Sequence, residues 1–162
     1  MKKPIIAGAV IFAAVTAFLV WWFSDTQVIK RRTSLLAETL TISEPDSNPA
    51  RALKSQKFAE LLAKNFSGNA DLARYSGNIS RDEAISGHQY LSHSVKSSSL
   101  TLSDFKIISL ESSTAQVSAT FSLSITTKNG ETDSETSATS LVWIKNDSGK
   151  WQLSSATLEP RP

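Results

Sequence analysis

The stretch AQVSATFSLSIT, residues 115–126, narrows the folds open to this chain more than any other. Ala115, Val117, Ala119, Phe121, Leu123 and Ile125 alternate strictly with Gln116, Ser118, Thr120, Ser122, Ser124 and Thr126. A period of two puts all the apolar side chains on one side of an extended strand. One face then packs on a core while the other is wet or meets something polar. Asn129-Gly130 follows, a pair that tolerates positive φ and reads as a two-residue hairpin loop. With that loop Phe121 opposes Ala138 and Val117 opposes Val142, apolar against apolar. The register leaves Ser137, Thr139, Leu141 and Trp143 on the outer face beside Ser118, Thr120, Ser122 and Ser124. Such a Ser/Thr face suits solvent, or a homodimer formed through the sheet. The strand carrying Leu141, Val142, Trp143 and Ile144 is apolar on both sides, which predicts a central position. Asn146-Asp147-Ser148-Gly149 makes a second turn, and Trp151 to Leu158 forms a last strand. Upstream, Leu100 to Leu110 reads as a strand whose change of phase predicts a bulge.

The other end of the chain has a different solvent in view. Ile5 to Phe23 is an uncharged apolar run behind Met1-Lys2-Lys3. As a helix it is about 28 Å long at 1.5 Å per residue, against a hydrocarbon thickness of about 30 Å. Trp21 and Trp22 close the run, where indole rings favour the water–lipid boundary. Lys30, Arg31 and Arg32 follow as a basic cluster suited to anionic headgroups. The competing reading is a cleaved signal peptide, with small residues at Val15-Thr16-Ala17. That cut leaves Phe18 to Phe23 as a free apolar terminus, and the run exceeds the usual 7–15-residue core of a signal peptide. The expectation is therefore an uncleaved single-pass anchor over residues 1–24 in the inner membrane. A short N-terminus before a long C-terminal domain places that domain in the periplasm.

Charge excludes more than it suggests. Lys+Arg is 17 and Asp+Glu is 15. Setting aside Lys2 and Lys3 of the anchor leaves 15 against 15, so no nucleic-acid partner is expected. There is no cysteine, and His88 and His93 are spaced i, i+5, off a common helix face, so no metal is expected. No nucleophile elbow or phosphate-cradling glycine loop occurs, and no cofactor is expected.

Between the anchor and the strands the spacing turns helical. Val28, Ile29, Leu35, Leu36, Leu40 and Ile42 form one stripe over Asp25–Ile42. That helix and the Pro45/Pro49 loop make up residues 25–49, and the remainder of the domain spans 50–162. Asn48 reads as an N-cap with Pro49 at the first helical position. The second helix carries Leu53, Phe58, Leu61, Leu62 and Phe66, and Ser67-Gly68-Asn69 closes it. Asp71–Ser76 reads as a short strand. Ser80 and Glu83 form a capping box for a third helix bearing Ala84, Ile85, His88, Leu91 and Val95.

This order resembles the nuclear-transport-factor-2-like (SnoaL-like, cystatin-like cone) superfamily. The stretches FAELLAKNFSGNADLARYSG, ISRDEAISGHQYL and SLVWIKNDSGKWQLSSATL carry the resemblance, over roughly residues 28–159. It implies an α+β fold with three helices on a curved antiparallel sheet, behind the transmembrane helix. Members resembling this plan include isomerases, dehydratases and non-catalytic binding or assembly domains. The fold alone leaves function open.

The enzymes of that superfamily place a carboxylate base, a His–Asp pair, or a tyrosine with a protonated acid inside the cone. The candidates here are His88, Tyr75 and Asp71, with Tyr90 and Asp104 further off. Glu131, Asp133 and Glu135 cluster beside the hairpin turn, where solvent is the expectation. His88 reads as a buried imidazole bonded to Tyr75 or to a backbone carbonyl, and no catalytic residue is assigned. A ligand pocket, if the cone is open, is expected from Phe58, Leu62, Phe66, Tyr75, His88, Leu91 and Phe121. The resulting expectation is a membrane-anchored, non-catalytic binding or scaffolding domain for an envelope protein partner or a small apolar ligand. Two alternatives stay open. One is an assembly subunit of a cell-envelope secretion machine. The other is a SnoaL-like or ketosteroid-isomerase-like enzyme with His88 in the cone.

Overall fold

A computed structural model describes residues 3–72 and 75–160, with side chains described for 11–72 and 76–160. Four helices and six strands occur among them. The elements in order are α1 (Lys3–Trp22), α2 (Asp25–Leu40), α3 (Asn48–Leu61), β1 (Leu62–Leu72), β2 (Tyr75–Ser80), α4 (Arg81–Ser94), β3 (Val95–Leu110), β4 (Thr114–Thr127), β5 (Thr132–Lys145) and β6 (Trp151–Pro160). The strands form one sheet in the order β2-β1-β6-β5-β4-β3. Helices α2, α3 and α4 pack on it, and β5 and β6 are central, as the two-sided apolar pattern of β5 requires.

The sheet is mixed, not antiparallel throughout: β1 runs parallel to β6, with Ala70 opposite Leu158. The reason lies at the end of α3. Leu61, Leu62 and Phe66 fit a helical stripe, yet α3 stops at Leu61 and the chain continues extended. Phe66, Gly68 and Ala70 then alternate inward at period two. β1 and β2 form a hairpin, Leu72 opposite Tyr75, where the sequence suggested one short strand. Ala73 and Arg74 of that expected strand lie outside the described residues.

Local signals explain the other boundaries. The α3 N-cap is Ser47, whose Oγ accepts from the Ala50 amide, so the cap stands one residue before Asn48. At α4 the capping box forms as expected. Ser80 Oγ accepts from the Glu83 amide, and the Glu83 carboxylate accepts from the Ser80 amide. The phase change in β3 is a bulge between Ser103 and Lys106. Asp104 sits in it at φ 53°, accepting a hydrogen bond from Thr120 Oγ1 at 3.0 Å.

The β4–β5 hairpin differs from expectation by one residue. Its loop has three residues, Lys128-Asn129-Gly130, with the Gly130 amide donating to the Thr127 carbonyl and Gly130 at φ 88°. A turn followed by a left-handed residue is the common three-residue hairpin loop. Phe121 consequently faces Ser137, Ala119 faces Thr139, Val117 faces Leu141 and Ala115 faces Trp143. A slip of one exchanges the faces of the whole strand. Ser137, Thr139, Leu141 and Trp143 point inward and are all buried, and the outer face carries Thr132, Ser134, Thr136 and Ser140 instead. There the hydroxyls pair across the strands: Ser122 with Thr136, Ser124 with Ser134, Thr126 with Thr132.

Trp143, Trp151, Ile29, Leu61 and Val117 fill the end of the cone nearest the start of α2. Asp25, the first residue of α2, ties that end together. Its carboxylate accepts from Trp151 Nε1 at 2.9 Å and from Lys145 Nζ at 2.9 Å. Among the described residues no single helix is long and apolar enough to cross a membrane. One bent pair, Ile11–Trp22 with Asp25–Leu40 at 55°, passes on length and composition. The expected span over 5–23 includes 5–10, whose side chains lie outside the described residues.

Candidate functional site

Beyond the tryptophan-filled end the cone is hollow. A cavity of about 350 Å³ lies between the inner face of the sheet and the three helices. Phe58 of α3, Leu62 and Phe66 of β1, Leu91 of α4 and Phe121 of β4 line it, together with Leu36 and Leu40 of α2. Five of the seven pocket residues expected from sequence thus meet around one space. Tyr75 has its side chain outside the described residues, and His88 is not part of the lining.

His88 is instead a strut between helices. Its ring is 3% exposed and stacks on Phe58 with centroids 4.6 Å apart and planes at 17°. Nε2 lies 2.8 Å from the Thr39 carbonyl oxygen, which can only accept, so Nε2 carries the proton. Nδ1 is then the acceptor for Ser55 Oγ at 3.0 Å. Burial pushes the imidazole pKa below the ordinary 6.5, against the opposing pull of the Thr39 carbonyl. A neutral imidazole with both nitrogens occupied by α2 and α3 holds three helices together and has no free nitrogen to offer a ligand.

The other titratable candidates scatter. Asp71 is exposed near the end of β1, Tyr90 is 75% exposed and His93 is exposed on α4. No cluster of three or more metal-ligating side chains occurs among the described residues. Of the cationic trio after α1, Lys30 is exposed and the Arg31 guanidinium lies 4.5 Å over the Trp22 ring. Arg32 is half-buried; burial pushes its pKa down, opposed by its attraction to Glu60.

The polar groups that do reach the cavity come from elsewhere. Glu83 lines it from α4, its carboxylate already accepting from Ser80 in the cap; those hydrogen bonds hold its pKa below the ordinary value. Glu135, Ser137 and Thr139 line it from β5, at alternate positions on the inward face. Glu135 is half-buried and not a solvent residue of the turn. Ser137 and Thr139 are 4% and 3% exposed, and their hydroxyls lie 3.3 Å apart. The two-residue loop assumption hid these three. The signal that finds them is Trp143 and Leu141, whose alternation continues back to Glu135 once those large side chains are placed inside.

No protein-family model and no curated protein matches the sequence. Solved structures do match in three dimensions. A protein of the NTF2-like family from Streptomyces avermitilis, provisionally named a dehydratase, superposes with TM-score 0.65 at 14% identity, covering 85% of this chain and 97% of the other. A Novosphingobium aromaticivorans protein provisionally named an aromatic ring hydroxylase gives 0.69 at 11% identity, with 85% and 90% covered. The type 2 hexachlorocyclohexane dehydrochlorinase gives 0.63 at 7% identity, with 82% of each chain covered. At such identities the likeness defines the fold: this is an NTF2-like cone.

Proposed function

We propose that this chain is a membrane-anchored binding domain that holds a small apolar molecule inside the cone at the periplasmic face of the inner membrane. One observation carries the reading. The cavity is open, about 350 Å³, and lined mainly by aliphatic and aromatic side chains with a few convergent polar groups. Small-molecule sites have this character and start at about this size. A non-catalytic role is supported by His88, whose nitrogens are spent on Thr39 and Ser55. The anchor is supported by α1 and the residue after it: Ile11, Phe12 and Val20 of the helix, with Phe23 following, are between 64% and 75% exposed, with nothing in the cone covering them. Apolar side chains so exposed along one helix suit a lipid solvent better than water.

A second reading has its own observation. Glu135 puts a carboxylate at the cavity, and among structures of this fold one is named a dehydrochlorinase and another provisionally a dehydratase. On that reading Glu135 is a general base acting on a bound apolar substrate.

Native mass spectrometry on the full-length protein, gently extracted from membrane, tests both. The binding reading expects an added small non-protein mass, the same in wild type and Glu135→Gln. The catalytic reading expects the variant to carry a different, unreacted molecule. A chain with no small mass in either form would remove the ligand and leave a protein partner or a homodimer as the function.

A further inference from the structure

The cavity's polar inventory is short and one-sided. Among its described lining residues there is no lysine, arginine or histidine, so nothing there would pair with an anionic ligand. A carboxylate brought into such a space loses its water and gains no partner. The lining does contain two hydroxyls side by side, those of Ser137 and Thr139, 3.3 Å apart and each more than nine-tenths buried. Each hydroxyl has one donor and two acceptor positions. Their mutual bond spends one donor and one acceptor. The pair retains one donor and several acceptor positions at a cavity whose other polar side chains are the carboxylates of Glu83 and Glu135.

Buried polar atoms ordinarily find partners. β5 is regular here and its main-chain groups are engaged with β4 and β6, Thr139 lying between Ala119 and Leu158. Valine would serve the core equally well at such inward positions on a central strand. We infer that Ser137 and Thr139 form the polar anchor of a ligand site, and that its ligand is a mostly apolar molecule, not an anion, bearing one hydroxyl or carbonyl oxygen. The inference rests on the reading of the cone as a binding cavity and adds which chemistry the cavity selects. A hydroxyl ligand both donates to and accepts from the pair. A carbonyl ligand takes the spare donor. A purely apolar ligand leaves the pair unsatisfied, and an anion finds no counter-charge among the described lining residues.

The test uses three probes that share one cyclohexane ring: cyclohexanol, methylcyclohexane and cyclohexanecarboxylate. Each is titrated against full-length protein in lipid nanodiscs at free concentrations set by dialysis, and binding is followed through the backbone amide resonances of Ser137 and Thr139. The variant pair S137A/T139V removes both hydroxyls at once, so neither is orphaned, a change that costs little stability. The expected result is a loss of about five- to tenfold in cyclohexanol affinity in the variant, the size of one hydrogen bond. Methylcyclohexane affinity stays level or rises, and cyclohexanecarboxylate binds more weakly than cyclohexanol to wild type. Equal losses for cyclohexanol and methylcyclohexane, or none, would overturn the anchor and leave the cavity reading standing. Tighter binding of the carboxylate would overturn it as well. Failure of all three probes to shift the amides would remove the cavity reading together with the anchor. Should the double variant not fold, S137A alone and the wild-type order of alcohol over carboxylate still decide.

Discussion

His88 shows how a residue that invites a catalytic reading can serve packing. Removing its side chain takes away the stacked partner of Phe58 and the bond to the Thr39 carbonyl, and leaves the Ser55 hydroxyl only its 3.4 Å contact with Ser92 Oγ. The expected cost of His88→Ala is about 2–4 kcal/mol, combining a cavity with the lost hydrogen bonds. Urea denaturation of wild type and variant measures it; a cost below about 0.5 kcal/mol, typical of surface positions, would contradict the strut. The same residue sets a pH dependence. Its pKa is lower in the folded state, so the unfolded chain takes up the proton first as the pH falls. The contribution is therefore complete above the ordinary histidine value of 6.5 and is lost as the pH drops below it toward the folded-state value. Asp25 acts lower. Burial raises its pKa, but the hydrogen bonds from Trp151 and Lys145 outweigh that and leave it below 3.8, so its contribution fades only in stronger acid. Stability measured between pH 7 and pH 5 should decline in wild type and be flatter in His88→Gln.

At the scale of the element, single positions decide how the strands and helices begin and turn. Gly130 stands at φ 88°, where a Cβ is strained although the space around it is open. Gly130→Ala should lower stability by about 1 kcal/mol. Gly87 is the opposite case: it lies mid-helix in α4 with no atom within 4 Å of an added Cβ. Gly87→Ala should raise stability by about 0.5–1 kcal/mol through the entropy of the unfolded chain. Thermal melts of the two variants should move in opposite directions, and a common direction would contradict either the left-handed turn at Gly130 or the helical backbone at Gly87. These positions also show how much was legible in advance. The capping box at Ser80 and Glu83, the bulge in β3, the alternation of β4 and the central place of β5 all follow from local chemistry, which residues near in sequence determine. Two features did not follow. Leu61, Leu62 and Phe66 satisfy a helical and a strand pattern alike, and what chooses the strand is pairing with β6, about ninety residues away. Asn129-Gly130 fits a two- or a three-residue loop, and the choice turns β5 over, carrying Ser137 and Thr139 from the outside to the cavity. Most of the apolar lining was readable because aromatic and leucine side chains are inward in either case. The polar part was not, because it depends on one unit of register.

At the scale of the whole molecule the packing is graded along the cone. The end beside α2's first turn is solid with Trp143 and Trp151, and the Asp25–Lys145 ion pair and the Asp25–Trp151 hydrogen bond lock the helix to the β5–β6 hairpin there. The hollow part lies further along, from Leu141 and Leu153 toward Glu135 and Leu158. Strand β5 runs from Glu135 through Leu141 to Lys145, so the cavity and the α1–α2 junction occupy different stretches of the same strand. A chain anchored through α1 would therefore present its rigid end to the lipid and keep the cavity away from it. The ligand would then arrive through water, which agrees with a molecule that keeps one polar oxygen. Aromatic side chains cluster where α1 meets α2: Phe18 stacks with Trp22 at 5.7 Å, and Arg31 covers the same indole. If α1 is an uncleaved anchor, full-length protein should stay with the membrane pellet through carbonate extraction. Protease added outside spheroplasts should digest the cone. A chain lacking residues 1–24 should appear in the soluble fraction with nearly the same urea midpoint, because Asp25 keeps its bonds to Lys145 and Trp151 and only the Ser24 cap of α2 and the Arg31–Trp22 contact are lost. Full-length protein released by carbonate would remove the anchor. A truncated chain of much lower stability would show instead that α1 belongs to the fold, its apolar side chains covered by the cone or by a second copy and not by lipid.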